Sequence, residues 1–122
     1  IETMKIVCNK YGGKIPDTFE NLISLPGVGE YTAPAVLCFG FGRDVPIVDA
    51  NVVRVLTRIF NLKVNRKVNS TILQVAERLI PKGQALVFNE AILDFAALIC
   101  KKRPLCGKCP LLHLCDYPRK SI

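Results

Sequence analysis

Apolar residues recur along this chain at helical spacings of three and four, and glycine and proline divide them into six stretches. Ile1, Met4, Val7 and Cys8 share one helical face, and Gly12-Gly13 ends that first helix, whose start carries no cap. Pro16-Asp17 opens a second helix, with Asp17 and Glu20 at capping-box spacing and Phe19, Leu22 and Ile23 as its apolar stripe. It stops at Leu25-Pro26-Gly27-Val28-Gly29, and a third helix is predicted from about Glu30 to Phe41, with Ala33 and Ala35 permitting close packing. Gly42 to Pro46 reads as a linker. A fourth helix begins at Val48-Asp49-Ala50-Asn51 and turns Val52, Val55, Leu56 and Ile59 inward. After a polar connection from Asn61 to Asn69, Asn69 or Ser70 caps a fifth helix carrying Ile72, Leu73, Val75, Ala76 and Leu79. Pro81-Lys82-Gly83 breaks it, and a sixth helix from about Ala85 to Ile99 delivers Cys100 into a cysteine-rich tail with at most one helical turn. Strand-like alternation and internal repeats are absent from the sequence, so the expected class is all-α.

The chain has 122 residues, 50% of them hydrophobic, enough for one compact domain or two small lobes sharing a core. No apolar run approaches the roughly 20 residues of a membrane span, and the N-terminus lacks the pattern of a signal peptide. An intracellular protein with no membrane partner is the expectation. Ile1 rather than Met leads, so the chain reads as a piece of something longer. Lys and Arg total 17 against 10 acids, a net charge of +7 that favours a polyanionic partner, nucleic acid first. A basic protein without such a partner fits the charge equally well.

Of the six cysteines, Cys8 and Cys38 stand alone in apolar helices and read as buried core thiols. Cys100, Cys106, Cys109 and Cys115 follow the spacing C-x5-C-x2-C-x5-C. With no sign of secretion, metal ligation is expected over disulfides. Four thiolates suit an iron–sulfur cluster or zinc, and spacing alone leaves both open. His113 inside the last arm is superfluous as a ligand and reads as a surface or DNA-side residue. Lys101, Lys102 and Arg103 lie in the first arm, with Lys108, Arg119 and Lys120 nearby and only Asp116 opposing them. Pinned by a metal centre, such a loop would present cations to a phosphate backbone; otherwise it is a solvated basic tail.

Two further places carry candidate chemistry. In Pro26-Gly27-Val28-Gly29 the glycines permit unusual backbone angles and let a phosphate approach the main chain. The N–H groups of Val28, Gly29 and the turn after them would then bind an anion at a helix start without reading base sequence. An ordinary turn between antiparallel helices would need the same glycines. Asp49, at the start of the fourth helix, is a good N-cap for Asn51 or Val52. A carboxylate held by helix N–H groups also stays ionised at neutral pH, the state needed to stabilise a sugar cation or activate water.

Hairpin, aspartate and cysteine loop, in the stretches LPGVGEYTAPAV, VDANVVRVLTR and FNEAILDFAALIC, resemble the endonuclease III superfamily of DNA glycosylases. The resemblance covers the whole chain but only the C-terminal part of the family's domain. It implies a helix-hairpin-helix glycosylase fold, with residues 1–43 the remnant of a helical-barrel lobe and residues 44–122 a lobe carrying the aspartate and the cluster loop. It implies Asp49 as catalytic carboxylate, and Pro26, Gly27, Val28 and Gly29 as the phosphate grip, often with a monovalent cation. A [4Fe–4S] cluster on Cys100, Cys106, Cys109 and Cys115 follows from it, as does duplex DNA with a mismatched or damaged base as partner of a monomeric full-length protein. Members that also nick DNA carry a lysine where this chain has Tyr31; a phenol forms no imine, which implies a monofunctional enzyme. Tyr31 resembles the thymine/uracil mismatch glycosylases, whereas YGGKIPDTFENLISLPGVG is similar to the adenine glycosylases. Outside any such role, Tyr31 would be a partly buried packing residue.

Two departures from the family stand out. The first cysteine arm has five intervening residues rather than the usual six, which shortens the basic loop. Pro34 sits early in the third helix, tolerable in a first turn but able to shift the hairpin slightly.

Overall fold

The α-helices follow the predicted order: α1 (Glu2–Lys10), α2 (Phe19–Ile23), α3 (Thr32–Ala35), α4 (Ala50–Phe60), α5 (Ser70–Leu79) and α6 (Ala85–Leu98). A π-helical turn, Val36–Gly40, continues α3, and a single 3₁₀ turn, Cys106–Lys108, lies in the cysteine tail. The computed structural model describes residues 1–63 and 69–117, and among these residues there is no strand. Most of the expected polar connection, along with Arg119 and Lys120, lies outside the described residues.

Caps explain the starts of α2, α4 and α5 and the end of α4. The Asp49 side chain accepts from the N–H of Val52, and Asn69, not Ser70, caps α5 by accepting from Ile72. Asn61 ends α4 in the left-handed conformation, φ 51°, which asparagine tolerates better than most residues. The expected cap of α2 is displaced by one residue. Thr18 accepts from the N–H of Asn21, while Asp17 reaches Arg43 at 3.2 Å instead. Either residue can cap, and the competing ion pair draws Asp17 away.

Four small apolar clusters form the core. Val7, Leu22, Leu25, Ala33 and Leu37 join α1, α2 and α3 beneath the hairpin. Val48, Val52, Val53 and Leu56 of the α4 region pack on Ile72 and Ala76 of α5. Val55 meets Ala96 and Cys100 on the α6 side. Between these, Cys38, Ile47 and Ala85 form a bridge.

Several burial expectations fail for one reason: the periodic faces are wider than the neighbours that cover them. In α1 only Val7 is buried; Met4 is 62% exposed, and Cys8 is an exposed thiol rather than a core one. Leu73 and Leu79 are exposed, and Ile59 is half-buried. The long third helix is also broken up. Four α-helical residues pass into the wider π turn, across which adjacent Leu37 and Cys38 enter two different clusters. Pro34 falls within the first turn of α3, between Ala33 and Ala35, whose N–H groups donate to the carbonyls of Gly29 and Tyr31, so its missing N–H interrupts that ladder by one bond. An apolar groove of about 560 Å³ opens between α4, α6 and the tail, lined by Ile59, Phe60, Phe88, Phe95 and Leu114 among others.

Candidate nucleic-acid interface and active site

The hairpin is anchored on the core by Leu25, with Val28 packed against the same cluster. Leu25 is buried and Val28 half-buried, while Pro26, Gly27 and Gly29 face solvent. Gly27 has φ 81°, a conformation that costs other residues strain. The N–H of Val28 closes the turn onto the carbonyl of Leu25 at 3.1 Å, so it is not one of the outward donors the sequence suggested. The N–H groups of Gly29, Glu30 and Tyr31 find no acceptor among the described residues, and they form the exposed donor set. Gly29 differs from Gly27. Its φ is ordinary, and a Cβ there would meet nothing within 4 Å, so nothing inside the fold requires glycine. A requirement imposed by an approaching phosphate would account for it. Thr3 of α1 braces the loop from behind, its hydroxyl donating to the carbonyl of Pro26.

Asp49 is half-buried: neither sealed in the core nor free in solvent. Buried Ile47 and Val48 lead up to it. One carboxylate oxygen accepts from the N–H of Val52 at 2.9 Å, the other from the side-chain amide of Asn51 at 3.3 Å. Both bonds fix the orientation of the carboxylate at the N-terminus of α4. Tyr31 immediately precedes α3 with 43% of its surface exposed.

Cys100 is buried, and Cys106, Cys109 and Cys115 are half-buried. Among the described residues no three His, Cys, Asp or Glu side chains close on a common point. The four sulfurs nevertheless occupy one locality. The Cys115 thiol is pushed above its ordinary value of 9.0, chiefly by burial; a backbone contact at Tyr117 opposes this, and Cys100, Cys109 and Cys106 raise it further. Donors already aim at sulfur: Arg58 Nη1 at Cys100 Sγ (3.5 Å) and the N–H of Leu111 at Cys109 Sγ (3.4 Å). An all-thiol donor set with N–H groups aimed at its sulfurs fits a thiolate-bound metal centre. His113 is exposed.

Sequence reasoning passed over the residues that hold these parts together. Arg54 Nε donates to the carbonyl of Cys100 and its Nη2 to that of Ala96, both at 3.0 Å, while Nη1 reaches the Asn51 side chain at 2.9 Å. Arg58 donates to the carbonyls of Lys101 (2.5 Å) and Lys102 (2.9 Å) and lies 4.9 Å from the ring centre of Tyr117. The available signal was the pair of arginines four apart on the largely apolar α4, one turn from each other on the same face. The side chains of Lys101, Lys102 and Arg103 stay exposed.

A fold of helices about an exposed glycine hairpin defines a helix-hairpin-helix protein, and the family model "Helix-hairpin-helix motif" matches residues 10–39. Comparison with whole proteins narrows this. The chain is 42% identical to a thymine/uracil-DNA glycosylase of Methanothermobacter thermautotrophicus over 98% of its own length and 55% of the relative's. It is 38% identical to an adenine DNA glycosylase of Buchnera aphidicola over 93% of its length and 33% of that protein's. Among solved structures, that of a thermostable thymine-DNA glycosylase superposes with a TM-score of 0.91 at 41% identity, covering 98% of this chain and 56% of that one. A trapped endonuclease III–DNA covalent intermediate superposes at 0.83 with 30% identity, again over 98% and 56%. The chain belongs to the endonuclease III-like superfamily. It spans about half the length of the thymine/uracil relative.

Proposed function

We infer that the protein containing this chain is a monofunctional DNA N-glycosylase of base-excision repair, removing thymine or uracil mispaired with guanine. The observation that carries the reading is Asp49: a half-buried carboxylate with both oxygens hydrogen-bonded at a helix start, on a chain that also presents an exposed glycine hairpin. The N–H groups of Gly29, Glu30 and Tyr31 hold backbone phosphates beside the target nucleotide, with a monovalent cation at the hairpin. Lys101, Lys102 and Arg103 add non-specific, salt-dependent affinity for duplex DNA. The mismatched nucleotide leaves the stack, and the bond from its base to C1′ of the sugar breaks. As the base departs with the bonding electrons, the Asp49 carboxylate stabilises the positive charge left on the sugar. Water then adds to C1′; its hydroxyl stays on the sugar and its proton completes the departed base. Tyr31 is exposed at the end of the hairpin, where it can meet the extruded nucleotide, and having no amine it leaves an intact abasic site. Cys100, Cys106, Cys109 and Cys115 would hold a [4Fe–4S] cluster, which supplies a rigid cross-link for the basic loop and no bond cleavage.

The similarity to an adenine glycosylase supports a second reading, removal of adenine opposite guanine or oxidised guanine. A base-release panel on G·T, G·U, A·G and A·oxidised-G duplexes with the full-length protein decides between them. The expected result is release from G·T and G·U without strand nicking, abolished in Asp49→Asn while DNA binding persists. Release only from adenine pairs selects the second reading, and full activity of Asp49→Asn removes the assignment of the carboxylate.

A further inference from the structure

Asn89 is the one buried polar side chain among the described residues, 1% exposed on the inner side of α6. An amide in that position must be fully hydrogen-bonded or it destabilises the fold. Its three contacts are unusual in where they lead. Oδ1 accepts from the N–H of Ile47 at 3.1 Å, and Nδ2 donates to the carbonyl of Val45 at 2.9 Å. One carboxamide therefore pairs with the main chain two residues apart, much as a neighbouring strand would, and pins the extended segment that ends at Asp49. The same Nδ2 lies 3.3 Å from Cys38 Sγ. Cys38 belongs to the π turn that continues α3, the helix starting directly after the hairpin.

We propose that Asn89 is a positioning residue that sets the register between the DNA-gripping hairpin and the Asp49 carboxylate. The inference rests on the function proposed above and deepens it. Only a side chain with a donor and an acceptor side by side can hold Val45 and Ile47 together, and Asn supplies both at the required length. Asp would lose the donor and place a charge against the Val45 carbonyl; Leu would leave both backbone groups unpaired. Only Val48 separates Ile47 from Asp49, so a shift of the pinned segment passes directly to the carboxylate. Displacements near one ångström lower the rate of a positioned reaction by up to about a hundredfold without touching the residues that bind substrate.

The test is single-turnover base release by the full-length protein at saturating duplex, in Asn89→Leu and Asn89→Ser. The serine variant, small enough to admit a water, serves if the leucine protein does not fold. The expected result is a rate constant lowered about ten- to a hundredfold in the folded fraction, with DNA affinity and thiolate–iron absorbance per folded molecule unchanged. A residue with only a structural role would lower the reaction amplitude and leave the rate constant alone, and that outcome overturns the proposal. Asp49→Asn is run alongside. If it remains active, the reading of the site fails; if it is dead while a folded Asn89 variant reacts at the wild-type rate, the positioning inference fails alone.

Discussion

Replacing Arg58 with methionine keeps the length of the side chain and removes every polar contact it makes. The structure sets the size of the effect. Two donors to the carbonyls of Lys101 and Lys102 are lost, at 2.5 and 2.9 Å, together with the contact to Cys100 Sγ and the stacking over Tyr117. Hydrogen bonds to charged groups contribute about 1.5–3 kcal/mol each where water cannot replace the donor. Lys101 and Lys102 are exposed, so water replaces the lost donor and about 0.5–1 kcal/mol per bond is the better figure. The ring contact adds about 0.5–1 kcal/mol. The sum, about 1.5–3 kcal/mol, raises the open population of the loop roughly ten- to a hundredfold. With opening fast relative to attack, bleaching of the thiolate–iron absorbance near 400 nm by a chelator should accelerate by the same factor in Arg58→Met. Arg58→Lys, which keeps the charge but loses the planar fork, should fall between. Equal bleaching rates in wild type and Arg58→Met would refute the claim that this guanidinium holds the loop.

The two hairpin glycines should respond in opposite ways. Gly27→Ala forces a Cβ into φ 81° and should cost about 1–2 kcal/mol in a denaturant melt; Gly29→Ala meets nothing within 4 Å and should melt like wild type, yet bind duplex DNA about tenfold more weakly. Unchanged binding by Gly29→Ala would remove the phosphate contact from that position. For the metal-free chain, the raised Cys115 pKa fixes a sign: the unfolded state gives up that proton first, so stability is fully present below the ordinary value of 9.0 and declines as pH rises through and beyond it. Thermal melts from neutral pH upward check this, and Cys115→Ser should flatten the alkaline decline.

The helix order, the hairpin and both clean N-caps were legible because each depends on chemistry within four residues. Asp49 precedes an apolar periodic run, and Asn69 does the same. Thr18 and Asp17 show the limit of that logic: both are competent caps, and the choice was made by Arg43, 26 residues downstream of Asp17. Burial in α1 was misread for a related reason, since periodicity identifies an apolar face but not whether a neighbour covers it. The site was legible as three separate parts. What joins them was not: Arg54 and Arg58 act on main-chain carbonyls more than 40 residues away, and Asn89 on the backbone of Val45 and Ile47. Bonds to the backbone leave no complementary residue type in the sequence to reveal them.

Arg58 grips Lys101 and Lys102 by their carbonyl oxygens and leaves their ammonium groups outside. Architecture and electrostatics are thereby assigned to different atoms of the same residues. Any amino acid placed at 101 or 102 presents the same oxygen to the guanidinium, so the loop's charge can be dialled up, removed or reversed while its shape is inherited unchanged.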